Sequence, residues 1–312
     1  MTALAPKPVR TVAAPPVRSL RTTASPLLVT VFAAIGAAAV YFLFIRTALG
    51  QAVDTAVMDG GDVDHPQVTD VLERALQYTH LTLLALVCVL AAAFGVIRRR
   101  LDLSIGAAFI VVASNVTAQL LKARLDRPDL DGTAMPNSFP SGHVTAAASV
   151  VFVLVLVFPR ALRGMIGLAG AAYVAIVAIA TVWAEWHRPS DAVAALLIVL
   201  ACGGLVVTVI RFRRGGALRP LQLPNMLVMA ILAVTGAVTA AAALLGLLAV
   251  ALAERGSPGF VSGQFAFLTG SAGIVACVAG TFIIWVRQTA DEPPAAVSSS
   301  RLSSRLPGGS AT

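Results

Sequence analysis

Eight long apolar runs decide what this chain can fold into. They cover about 26–45, 80–97, 103–121, 142–158, 165–183, 191–210, 225–252 and 263–286. A helix needs roughly 20 predominantly apolar residues to cross the hydrocarbon core of a bilayer, and several runs reach that length. In lipid every backbone amide and carbonyl must bond within its own segment, so runs of this kind are helices. The short alternating strands of an outer-membrane barrel are not seen. Of the 312 residues 58% are hydrophobic and 12% charged. A soluble domain carries about 25% charge and could not hide this much uninterrupted apolar surface. The fold class expected is all-α, a polytopic membrane helix bundle of about eight transmembrane helices.

The net charge of +8 invites a nucleic-acid reading, but the basic residues sit at the ends of apolar runs and form no single basic face. No nucleic-acid partner is expected. With the N-terminus placed in the cytoplasm, inner segments hold 16 of the 23 basic residues. The positive-inside rule therefore favours both termini in the cytoplasm. Residues 1–25, rich in Pro, Ala and Arg, read as a disordered basic tail, and 288–312, rich in Ser, Pro and Gly, as a second disordered tail. The first run is too long for a signal-peptide core and is expected to be an uncleaved anchor. Trp183, Trp186 and Trp285 fall at span edges, as interfacial anchors would.

Cys88, Cys202 and Cys277 lie singly inside apolar runs, with no metal spacing and no disulfide framework. The first outer loop, about 46–79, holds Asp54, Asp59, Asp62, Asp64, Asp70 and Glu73. It lacks the EF-hand pattern and its closing Glu, and reads as a solvated acidic loop. No metal and no cofactor are expected.

Three segments carry chemistry. Lys122-Ala-Arg-Leu-Asp-Arg127-Pro128 follows the third run. Pro140-Ser141-Gly142-His143 opens the fourth. Trp186-His187-Arg188-Pro189-Ser190-Asp191 joins the fifth to the sixth. Runs three and five cross the membrane in the same direction, so their ends share a face with the start of run four. Lys122 and Arg127 supply fixed positive charge suited to phosphate oxygens. Ser141 and Gly142 lie at a helix N-terminus, where backbone amides bind anions and glycine allows close approach. His143 and His187 can divide nucleophile and acid roles. Asp191, four residues after His187, can fix the imidazole tautomer and stabilise its cation. Pro189 suits the first turn of the sixth helix and so places Asp191 in that turn. Each feature alone is ordinary: a histidine at a membrane edge, flanking charges, a Ser-Gly helix start. Their occurrence on one face is what points to a site. His65 and His80 have no such company.

With these motifs the chain resembles the type 2 phosphatidic acid phosphatase family. That family carries Lys-x6-Arg-Pro, Pro-Ser-Gly-His and Ser-Arg-x5-His-x3-Asp. Pro140–His143 matches the second in full, His187 and Asp191 match the end of the third, and Lys122 with Arg127-Pro128 is similar to the first. The resemblance covers roughly residues 75–210. It implies a six-helix core over 26–215, with two additional helices over 216–287. It also implies a site facing the outside of the cell membrane, and hydrolysis of a phosphomonoester or pyrophosphate on a lipid of the phosphatidic acid, phosphatidylglycerol phosphate or polyprenyl type. In that reading His187 attacks phosphorus, His143 protonates the leaving oxygen and Asp191 orients His187. Lys122, Arg127, Ser141 and Gly142 hold the phosphoryl oxygens. The family generally needs no metal.

Two family arginines are missing. Their positions fall on Asp129 and Thr181. Charge-assisted hydrogen bonds are worth about 1.5–3 kcal/mol each, so Arg127 and Arg188 are expected to take over the work of the missing pair. Asp129 is expected to face away from phosphate or to pair with an arginine. Other readings are phosphotransfer from the same phosphohistidine and a non-catalytic lipid-binding protein. The retained His143, His187 and Asp191 argue against the latter. Span centres nearly free of ionisable residues argue against a transporter. The last two spans, rich in Gly and Ala, dock on the core or form a homodimer contact.

Overall fold

The computed structural model describes residues 20–61, 101–133, 136–214, 223–256 and 261–290, with residues 89 and 93 in isolation. The span expected over 80–97, Cys88, His65, His80 and most of both tails lie outside these residues. Eight α-helices are described, and no strand. In chain order they are α1 (Leu20–Val40), α2 (Ala48–Asp59), α3 (Leu101–Arg124), α4 (Gly142–Val157), α5 (Arg160–Trp183), α6 (Pro189–Arg214), α7 (Leu223–Gly256) and α8 (Gly263–Ala290). Helical structure thus enters both expected tails, from Leu20 and through to Ala290. A π-helical turn, Tyr41–Ile45, extends α1. Six described helical segments are long and apolar enough to cross a membrane. The expected polytopic helical bundle is what the chain forms.

The sixteen-residue α4 is the hub. It is apolar all round and buries 13 residues, from Val144 to Val157, which marks a helix enclosed by other helices. It packs on α3, α5, α6 and α8. Close approach of α5 depends on Gly170, where a Cβ would stand 2.0 Å from Val151 Cγ1. Large apolar side chains face outward on the surrounding helices, among them Phe32, Ile35, Val112, Val116, Leu244 and Leu245. An apolar exterior of this extent is a lipid-facing surface.

Two expectations are corrected. Trp285 is not an interfacial anchor. It is fully buried, stacks on Phe152 at 4.5 Å and 6°, and donates Nε1–H to the Phe152 carbonyl. An aromatic with a polar tip is buried only where that tip finds an acceptor, and the core helix supplies one. Through this contact, and through Arg211 Nη2 bonded to the Gln288 carbonyl at 2.8 Å, α8 docks on the core. Nor is the segment after α1 simply a solvated loop. Thr47 caps α2 by accepting from the Gly50 amide at 3.0 Å. Gln51, Asp54, Thr55 and Met58 then share one buried face of α2, at the i, i+3, i+4, i+7 spacing of an amphipathic helix. Through Asp54 that face meets the start of α6, and Gly60, at the end of α2, lies against Gly263 at the start of α8.

Candidate active site

The ends of α3 and α5 and the starts of α4 and α6 meet at one end of the bundle, with α2 beside them. Helix α5 stops at Ala184, and Glu185 takes a left-handed φ of 57°. This reverses the chain so that the Trp186 and His187 amides both donate to the Thr181 carbonyl, each at 3.1 Å. Thr181 is buried and turns its hydroxyl back to the Ala178 carbonyl, so the position that is arginine in the family serves here as a backbone anchor. Pro189 opens α6. From the first turn the Asp191 carboxylate reaches back to the Arg188 amide at 3.0 Å, as the acidic partner of a capping box does.

The same oxygen, Asp191 Oδ2, lies 3.3 Å from His187 Nδ1 and accepts the Ser138 hydroxyl at 2.5 Å. Both His187 and Asp191 are buried. With Nδ1 turned to the carboxylate, Nε2 is the nitrogen left for chemistry. The α4 segment is tied to this pair through its backbone, because the Ser141 amide donates to the Asp191 carbonyl at 3.0 Å. The peptide before Pro140 is cis. Ser141 is the N-cap of α4, and its Oγ accepts from Val144 N at 3.4 Å. Gly142 begins the helix with only Gln119 Nε2 near, 3.4 Å from where a Cβ would stand. His143 follows, its ring 5.8 Å from that of His187 and edge-on to it. Trp186 also packs on His143, with ring centroids 5.3 Å apart, so this tryptophan is part of the site.

The cations gather around the same carboxylate. Lys122, half-buried in the last turn of α3, interacts electrostatically with Asp191. Its backbone and that of Leu125 accept Asn137 Nδ2 at 3.2 and 2.8 Å, which folds the loop back on the helix. Arg127 is half-buried and Arg188 only 1% exposed. Burial, and then the neighbouring Arg188 charge, hold the Arg127 guanidinium below its usual pKa, against the pull of Asp191, Asp54 and Asp131. Arg127 Nη1 and Nη2 and Arg188 Nη2 are buried with no hydrogen-bond partner among the described residues. Unpaired charged donors are costly to bury, and two like charges kept together in this way suit a polyoxygen anion. Asp129 is exposed and accepts the Gly132 amide at 2.8 Å in a surface turn. The described residues contain no group of three or more His, Cys, Asp or Glu placed to hold a metal ion.

Sequence reasoning missed the contribution of α2. Gln51 Nε2 donates to the carbonyls of Ile45 and Pro128, and Gln51 Oε1 accepts the Leu130 amide. This clamps the loop that carries Arg127. Thr55 bridges Arg188 and Asp131. Asp54 accepts the Ser190 amide at 3.1 Å and, through its second oxygen, the Ser190 hydroxyl. Burial first, and then the Asp191 charge, push the Asp54 carboxyl up to about 7, although Ser190 and Arg127 oppose the shift. The signal was present as helical spacing from Thr47 onward, obscured by the acidic residues that follow.

Residues 79–215 match the PAP2 superfamily model. No curated protein and no solved structure is significantly similar to the chain. The match spans the helices that bear all three motif segments; over this region the chain is similar to the PAP2 superfamily, and its described helices include six long and apolar enough to cross a membrane.

Proposed function

We propose that the protein hydrolyses the phosphate ester or pyrophosphate of a membrane lipid through a phosphohistidine intermediate. The observation that carries the reading is two imidazoles 5.8 Å apart, one partnered by a buried carboxylate, at the same end of the bundle as arginine N–H groups with no hydrogen-bond partner among the described residues. A site that only binds phosphate has no use for that pair of imidazoles.

His187 Nε2 attacks phosphorus as the bond to the lipid oxygen breaks. His143, as imidazolium, gives its proton to that leaving oxygen. Water then attacks the phosphohistidine, the N–P bond breaks, and His143 takes the proton from water. Inorganic phosphate leaves and both histidines return to their starting states. Asp191 holds the proton-bearing Nδ1 of His187 and stabilises its cationic form. Lys122, Arg127 and Arg188, with the amides that open α4 behind Ser141 and Gly142, bind the equatorial oxygens, where charge accumulates in the transition state.

Placement supports a lipid substrate. The candidate site lies at the end of a bundle whose flanks are apolar, where a headgroup can reach it while its tails stay in the bilayer. Phosphatidic acid, phosphatidylglycerol phosphate and polyprenyl phosphates all meet that description. The distribution of basic residues favours both termini in the cytoplasm and the site on the outer face of the cell membrane. The test is a panel of these lipids assayed for phosphate release with purified wild type and His187→Ala. The expected result is release by the wild type from at least one lipid and a loss of about 10³-fold or more in the variant. Turnover of no lipid, or an equal rate in the variant, overturns the proposal.

A further inference from the structure

We infer that Thr55, on a helix that precedes the family region, is a positioning residue whose hydroxyl aims the Arg188 guanidinium at the bound phosphoryl group. This rests on the phosphatase reading of the site.

A threonine hydroxyl has one proton to donate and lone pairs to accept with. Thr55 spends the proton on Asp131 Oδ2 at 2.7 Å, and Asp131 is itself held through Oδ1 by the amide and hydroxyl of Thr133 at 3.2 and 2.8 Å. With the proton committed, a lone pair is turned to Arg188 Nε, which donates to it at 3.2 Å. The guanidinium is a rigid plane. Fixing Nε from one side therefore fixes the direction of Nη2, a buried donor with no hydrogen-bond partner among the described residues. Thr55 is 6% and Arg188 1% exposed, so water does not readily replace the bond. One turn earlier on the same face, Gln51 fixes Pro128 and Leu130, next to Arg127. A single helix outside residues 79–215 thus supports both arginine-bearing segments.

The test compares Thr55→Val, which keeps the shape and loses both bonds, with Thr55→Ser, which keeps the hydroxyl. The full-length protein is assayed in mixed micelles with dioctanoyl phosphatidic acid, and orthovanadate serves as the phosphoryl-transfer mimic. Thr55→Val is expected to lower kcat/KM about tenfold and to weaken vanadate inhibition by a similar factor, as loss of one charge-assisted bond implies. Thr55→Ser should stay within about twofold of wild type, and Thr55→Val should cost little more on the Arg188→Ala background, because a residue that acts through Arg188 has nothing left to aim. The vanadate inhibition constant does not depend on how much protein folds, and Thr55→Ala gives a second readout if the valine variant is poorly produced. Wild-type values in Thr55→Val, equal defects in Val and Ser, or fully additive losses with Arg188→Ala overturn the inference. His187→Ala, run in parallel, separates the two claims: full activity there sinks the phosphatase reading itself.

Discussion

Asp54 and Ser190 are joined twice, the Asp54 carboxyl accepting both the amide and the hydroxyl of the residue that precedes Asp191. The bond pair ties α2 to the first turn of α6. It also brings a second buried carboxyl close to Asp191, and a proton on Asp54 relieves the repulsion.

That proton makes stability depend on pH. The Asp54 pKa is raised to about 7 in the folded chain, against roughly 3.9 for an unfolded aspartate. Between these values the folded state holds a proton that the unfolded state has lost. The stabilisation is fully present below the lower value and is lost as pH rises through the upper one. The melting temperature of the detergent-solubilised wild type should fall from pH 5 to pH 8, and Asp54→Asn, a mimic of the neutral acid, should flatten that fall. An identical slope in the variant would show that Asp54 is not the titrating group.

Arg127→Ala and Arg188→Ala should each lower kcat/KM by about 10- to 150-fold, the range of a lost charge-assisted hydrogen bond. Replacement by lysine should recover only part of this, because a point charge lacks the planar fork. Initial rates on one lipid phosphate decide the matter, and an unchanged rate in either alanine variant removes that arginine from the site.

Gly142→Ala separates folding from binding. The added methyl would meet Gln119 Nε2 at 3.4 Å, an ordinary contact, so melting should change by little. The same methyl stands at the helix N-terminus where phosphate is to approach. KM should rise several-fold at near-normal stability, and a wild-type KM would mean that phosphate does not approach over Gly142.

Trp285→Ala tests the docking of α8. Truncating a fully buried tryptophan stacked on Phe152 should cost about 3–5 kcal/mol, read as a large drop in melting temperature. A small effect would mean that α8 contributes little to the core.

The helical architecture was legible because lipid leaves an apolar run few conformations. The histidine-bearing segments were legible because they are short and contiguous, and alternation of span direction brings them to one face. What spacing could not convey is burial between distant elements. Asp54 reads as one more acid in an acidic segment until α2 is folded against Ser190. Trp285 reads as an interface residue until Phe152 is beneath it. Thr55 carries no motif, and its relation to Arg188 spans 133 positions of sequence. Arg188 could be named as a substitute for an absent family arginine, but what holds its guanidinium came into view only with the fold.

The central claim is that His187 becomes phosphorylated during turnover. Purified protein turning over lipid phosphate labelled at phosphorus is quenched and denatured, and label on the chain is measured. The account predicts label that survives alkali and is lost in acid, as a phosphoramidate is, and that is missing from His187→Ala. Turnover without labelled protein, or undiminished label in His187→Ala, would contradict it.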